Sequence, residues 1–411
     1  MRRLFYLELR RVVTTRTTWV LMTAIILLSA VMAYFPVSFV SAYQTDGQGN
    51  VTKLKGTEAI RYLKESEAGI SGEITEEKLR QAILSFQECY RQYGSAFPPE
   101  LPMEIYVEKI EPYYPVLKMA AAVLAPEGVW LETMTDADIS PEDVPQFYEK
   151  YRERMTERGK TEEEQERIRK LNEEVKTPFT YVSGFSSESL DYLILYFLLM
   201  LFAIVMILCP VFSAEYQTGA DSILRCTKYG RIQLAVVKAA VSVMIFAVTF
   251  LAGTGIFLLV TNLVFGTEGL KTSVQMINSV FVIPALTAGQ TQAAAAGAGF
   301  LSLLSTAGFT LFLSARCGNV QDTMKIALPC CLLPTIIYML SSANVANIVR
   351  ALLPSGGLGL MNSFLYELLG NNFAHIGPFT IWMPHLILGA AVAEIPLFFI
   401  LAVRTYCRRE A

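Results

Sequence analysis

Few residues of this chain have the type and spacing for chemistry. The segment FSAEYQTGADSILRCTKYGR, Phe212 to Arg231, places acidic and basic side chains and two glycines between apolar runs that are each long enough to cross a bilayer. Glu394 stands inside another apolar run. An exposed charge there costs about 2.5–3.5 kcal/mol on insertion scales. It is therefore expected to face a helix bundle, protonated or paired, with a carbonyl freed by Pro396 as one possible partner. Part of a conduit or a dimer seam is the functional reading of Glu394, and a structural hydrogen bond is the plain one. His375 and His385 flank Pro378 and Pro384 with no Cys or Asp beside them, so no metal site is expected. The seven cysteines show no metal-ligand spacing either. No H-E-x-x-H, nucleophile elbow or catalytic dyad is present, and no G-x-x-x-x-G-K-[ST] loop. An enzyme in its own right is not expected, nor a cofactor held by this chain.

The elements that carry these residues are read from charge. Hydrophobic residues form 53% of the 411 and charged residues 17%, with a mean hydropathy of +0.40. This is a membrane-protein composition. No Asp, Glu, Lys or Arg occurs in 17–45, 192–214, 239–267, 272–315 or 326–349, and the run 381–403 holds only Glu394. A span needs about 20 helical residues, so six spans are expected. The 272–315 gap is too long for one. Its first half, with Pro284 and TAGQTQ, reads as a loop or re-entrant piece, with the span near 293–315. The segment LLPSGGLGLMNSFLYELL, about 351–370, is apolar but too interrupted to cross. The small-residue run from Ala293 to Phe300 permits close helix contact.

Lys and Arg set the orientation. With both termini cytoplasmic, the inner segments hold 14 basic residues and the two short outer loops only Lys271 and Arg350. Residues 43–189 hold 18 of the 34 basic and 28 of the 37 acidic residues, a net charge of −10, and are expected outside. No folded part is strongly basic, which argues against nucleic-acid binding. The first apolar run exceeds the roughly 7–15 residues of a signal's core and is expected to stay as a span.

About 145 residues can bury a core unaided, and the acidic region reads as mainly helical. Thr75 caps a helix with Leu79, Ile83, Phe86 and Tyr90 on one face, ending near Gly94. Ser140-Pro141-Glu142-Asp143 opens another that stops near Gly159, and Thr161 with Glu164 opens a third. The last two are so charged that they read as an exposed hairpin arm. VWLETM is a candidate strand. With no histidine and carboxylates at helix-surface spacing, the region offers no catalytic set.

Glu215, Gly219, Arg231 and Lys238 follow the spacing E-x3-G-x11-R-x6-K. This resembles the pattern after the second span of type-2 ATP-binding-cassette (ABC) exporter permeases, with Ala220, Gln217 and Lys228 departing from its usual residues. The six-span order and the basic amphipathic start agree with that family; the resemblance covers the membrane part only. It implies a short cytoplasmic coupling helix docking in a cleft of an ATPase subunit. Glu215 would lie near the start of that helix, where the dipole favours a carboxylate by about 0.3–1 kcal/mol. Arg225, Lys228 and Arg231 would face lipid phosphates or the ATPase, and Lys238 would snorkel to the interface without a buried partner. The start RRLFYLELRRVV, with Phe5 and Leu9 on one face and Arg3 and Arg10 on another, suits an interfacial elbow helix.

The expected architecture is an all-α polytopic membrane protein with a large helical extracellular domain between helices 1 and 2. Its parts are an interfacial helix at 1–16, span 1 at 17–41, the acidic domain at 42–189, span 2 at 190–213, the coupling loop at 214–233, and spans 3–6 at 234–411, where the resemblance implies an outer re-entrant segment at about 351–370. The resemblance implies the permease subunit of a plasma-membrane exporter of hydrophobic or amphipathic cargo. Two permease chains would stand over two ATPase copies, with Mg-ATP bound by the partner. The rivals are a membrane-anchored sensor of extracellular ligands and an ion-coupled carrier using Glu394, although no internal repeat supports the carrier.

Overall fold

The computed structural model describes residues 2–46 and 50–409 and is 71% helical. Among the described residues, six helices are long and apolar enough to span a bilayer. They are Arg16–Phe39, Ser187–Thr218, Ile232–Phe265, Ala288–Arg316, Val320–Leu340 and Met383–Arg408. The protein is therefore membrane-embedded. The second and fourth helices are the most buried and form the centre of the bundle, whereas the first, fifth and sixth leave most of their surface uncovered.

Ends of the second, fourth and fifth spans differ from the sequence expectation. The second span runs past residue 213 to Thr218, because Glu215 is neutralised by buried partners instead of ending the apolar stretch. The fourth begins at Ala288, five residues before Ala293. Thr287 accepts the Gln290 backbone N–H at 3.3 Å while the Gln290 side chain accepts the Thr287 N–H at 2.9 Å, a capping box written in the sequence as T-A-G-Q. The fifth ends at Leu340, and the apolar residues beyond it form a separate short helix, Asn344–Ala351.

Close approach fixes the packing of the fourth span against the second. A Cβ added at Gly299 would stand 2.4 Å from the Phe197 ring, whereas one at Gly297 would meet nothing within 4 Å. Gly299→Val is expected to destabilise the bundle by about 1–3 kcal/mol, the usual cost of overpacking. Gly297→Val serves as the matched control, and thermal unfolding of both variants in detergent measures the difference.

The polar domain follows the first span. Strands β1 (Ser41–Thr45) and β2 (Val51–Lys55) form an antiparallel hairpin with Ser41 opposite Lys55. Helices Thr57–Ser66 and Glu76–Tyr93 follow, the second capped by Thr75 and closed by Gly94 in the left-handed conformation at φ 77°. Tyr114–Leu124 is buried along most of its length. Strands β3 (Gly72–Glu73) and β4 (Thr180–Tyr181) pair antiparallel beside the start of the second span. VWLETM forms turns, not a strand. Ser140 opens a 3-10 helix, Pro141–Gln146, before the α-helix Phe147–Glu157, because Pro145 lacks the N–H a continuous α-helix would use.

The domain core is not self-contained. Phe86, Phe147, Tyr151 and Phe179 belong to one cluster with Val280, Phe281 and Ile283 from the third-to-fourth span connection. Phe364, Phe373 and Trp382, between the fifth and sixth spans, join the same cluster. The Arg158 guanidinium lies 4.0 Å from the centre of the Phe281 ring. Main-chain pairing reinforces the seam, with the Ser273 N–H donating to the Thr180 carbonyl at 2.8 Å.

Helices Phe147–Glu157 and Glu162–Asn172 are therefore not a free arm. Met155, Ile168 and Asn172 are buried. The hairpin β5 (Phe373–Ile376) and β6 (Phe379–Trp382) packs beside them, and His375 Nε2 meets Glu164 Oε1 at 2.9 Å. The charged faces of this pair masked one apolar stripe.

Residues 352–363 carry the chain back among the spans. Ser355 Oγ donates to the Cys331 carbonyl at 2.7 Å and Thr306 Oγ1 to the Pro354 carbonyl at 3.0 Å, so this turn touches the fifth and fourth helices well inside their ends. It is held from above by Arg350 and Glu367, a pair at 2.6 Å whose side chains are each 1% exposed.

Candidate functional site

At the end of the bundle away from the domain, four charges from three helices meet. Lys238, in the second turn of the third span, is 1% exposed. Its Nζ donates to Glu215 Oε1 at 2.5 Å, to Glu8 Oε2 at 3.4 Å and to the Val211 carbonyl at 3.3 Å. Arg11 donates to the same Glu215 oxygen at 2.7 Å and lies 2.9 Å from Glu8 Oε2. Two acids and two bases alternate around this knot, which satisfies the condition for burying charge. It fastens the N-terminal helix Arg2–Val13 to the second and third spans.

This geometry corrects the sequence expectation in two places. Glu215 is not near the start of an exposed helix; it is buried in the last turns of the second span. Lys238 does not snorkel free, since its charge is met by Glu215 and Glu8. Both bring the knot together with Arg11 and Glu8, which sequence reasoning did not single out. Their i, i+3 spacing on a helix was the available signal.

Beyond the knot the chain turns sharply. Gly219 closes the second-span helix at φ 71°, a left-handed conformation that favours glycine. The six-residue helix Ala220–Arg225 follows, and a turn leads to the third span. Arg225 faces inward, correcting its expected role as an exposed contact. Its guanidinium lies over the Tyr406 ring at 4.7 Å and donates to the carbonyls of Tyr406, at 2.8 Å, and Arg409. Tyr406 Oη returns a hydrogen bond to the Gly230 carbonyl at 3.3 Å. The loop is thus clasped to the end of the sixth span. Its outward side chains include Ile223, 73% exposed, Tyr229, 47% exposed, Lys228 and Arg231, with Ser222, Cys226 and Thr227 beside them.

On the N-terminal helix Arg3 and Arg10 are exposed, while Phe5 and Leu9 are half-buried against the bundle. Glu394, deep in the sixth span, accepts a hydrogen bond from Ser305 Oγ at 2.7 Å, so its partner is a hydroxyl of the fourth span and not the carbonyl freed by Pro396. His385 stacks edge-on against Trp382, apart from His375. Among the described residues, no group of three or more His, Cys, Asp or Glu is placed to hold a metal ion.

No protein-family model matches this chain, and no curated protein does.

Proposed function

We propose that this chain is the membrane subunit of an ABC-type exporter, moving a hydrophobic or amphipathic cargo with ATP hydrolysed by a separate subunit. One observation carries the reading: a short turn-helix presents Ile223 and Tyr229 to solvent while everything behind it is fixed. Gly219, the four-charge knot and the Arg225–Tyr406 clasp join that tip to the second, third and sixth spans and to the N-terminal helix. An apolar tip ringed by Lys228 and Arg231 suits a cleft with an acidic rim, and a rigid mount suits the conversion of cleft closure into span movement. The resemblance of the Glu215–Lys238 spacing to the permease pattern points the same way. On this reading the tip and both termini are cytoplasmic, the acidic domain lies outside the plasma membrane, and a second permease chain and two ATPase copies complete the transporter. Mg-ATP belongs to the partner.

The discriminating variants are at the tip, since Glu215 and Lys238 are structural. Ile223→Asp with Tyr229→Asp is expected to reduce at least tenfold the ATP-hydrolysing subunit recovered with this chain from its native membranes. Both side chains are exposed, so the thermal stability of the chain itself should not change. Undiminished recovery would overturn the proposal.

A further inference from the structure

Where the domain meets the bundle, the ends of three spans border an open cavity of about 240 Å³. Phe39 lines it from the first span, Phe185 and Glu188 from the start of the second, and Phe265 from the end of the third. Glu67, Tyr181, Ser183, Ser186 and Ser187 supply its polar wall. Glu67 is 8% exposed, and one of its oxygens accepts a hydrogen bond from the Tyr181 hydroxyl at 2.8 Å. No Lys, Arg or His lies within salt-bridge distance of Glu67 among the described residues.

A buried carboxylate without a cationic partner is costly, and that cost falls when a cation arrives. Apolar aromatic walls beside such a carboxylate add attraction for a cation through their ring faces and for a hydrophobic body through burial. We propose that this cavity binds the ammonium end of a cationic amphipath, with Glu67 as counter-ion, Tyr181 holding that carboxylate in place, and Phe39, Phe185 and Phe265 packing the adjoining apolar part. The volume is below the roughly 300–1,000 Å³ of sites that take a whole drug-sized ligand. The cavity therefore receives a small amine or the tip of a larger one. The inference does not depend on an ATPase partner.

The surrounding groups set the pH dependence. Burial holds the Glu67 carboxyl above its ordinary range, against hydrogen bonds from Ser183 and Tyr181 that lower it. Glu111 on the neighbouring turn is pushed up to about 7, chiefly by burial and also by the charge of Glu67. Glu188 lines the cavity, and the Lys64 ammonium, one helical turn before Glu67, lies against Gly184 and Gly266 beside the cavity wall without reaching salt-bridge distance of Glu67. A carboxyl whose pKa is raised in this way loses its charge as pH falls, so ammonium binding should weaken toward acid pH and recover toward neutral.

Binding of 2-phenylethylammonium and of 2-phenylethanol to the full chain in lipid nanodiscs, followed by isothermal titration calorimetry, tests this. The amine is expected to bind saturably and at least tenfold more tightly than the alcohol. Glu67→Gln, which can still accept from Tyr181, should lose at least tenfold for the amine and little for the alcohol. Leu63→Trp, which fills the cavity from its wall, should abolish binding of both while leaving the unfolding temperature near that of the unaltered chain. Equal binding of the two probes, amine binding retained in Glu67→Gln, or no saturable binding of either probe would each overturn the proposal.

Discussion

Glu215→Leu is expected to cost the folded protein about 3–5 kcal/mol, the penalty for removing one partner of a buried ion pair. Lys238 would be left with no exposed surface on its side chain and only Glu8, at 3.4 Å, as an acidic partner. Pairing Glu215→Leu with Lys238→Met should recover most of the loss, because the two remaining charges, Glu8 and Arg11, already lie 2.9 Å apart and satisfy each other. Thermal unfolding of the single and double variants in nanodiscs gives the coupling directly. A double variant as unstable as the single one would show that the knot is not an isolated electrostatic unit. The single variant should also free the N-terminal helix, read as increased protease access near Thr14 and Thr15.

Arg350→Met is the second large effect expected, again about 3–5 kcal/mol. Glu367 would be left 1% exposed with one neutral donor, Asn372 Nδ2 at 3.0 Å. Arg350 itself also donates to Asn347 Oδ1 at 3.0 Å and lies 5.2 Å from the Tyr338 ring, so its loss loosens the fifth-span exit as well. Because the pair clamps the turn at 352–363, the damage should be local first: hydrogen exchange in that turn should rise before global unfolding does. Arg350→Met/Glu367→Leu should restore protection. Exchange unchanged in the single variant would mean that the turn is held by Ser355 and Thr306 alone.

The spans were legible in the sequence because hydrocarbon excludes charge, and five stretches without Asp, Glu, Lys or Arg mark five of the six helices. Their ends were less so. Glu215 and Lys238 looked like the borders of the second and third spans, yet each lies inside its helix because the other neutralises it across 23 residues of sequence. The capping box at Thr287 was readable but was outweighed by the polar look of TAGQTQ. The domain was readable as helices with caps at Thr75 and Thr161, both of which accept the backbone N–H three residues on. Its partners were not readable. Glu164 finds His375 at a separation of 211 residues, and no local pattern encodes a meeting of that range. The outward tip was located but its inner and outer faces were confused, since Arg225 carries the same charge as Lys228 and only Tyr406 distinguishes them.

Phe281 and Trp382 complete the packing around Phe147 and Phe179, so this domain cannot finish folding when its own last residue leaves the ribosome. At about 5–20 residues per second, the roughly 200 residues from Ser186 to Trp382 take on the order of 10–40 s to translate. For that interval, while four spanning helices are being made, the nascent chain carries an open apolar cleft, and a chaperone acting there would shield a surface that the finished protein never exposes.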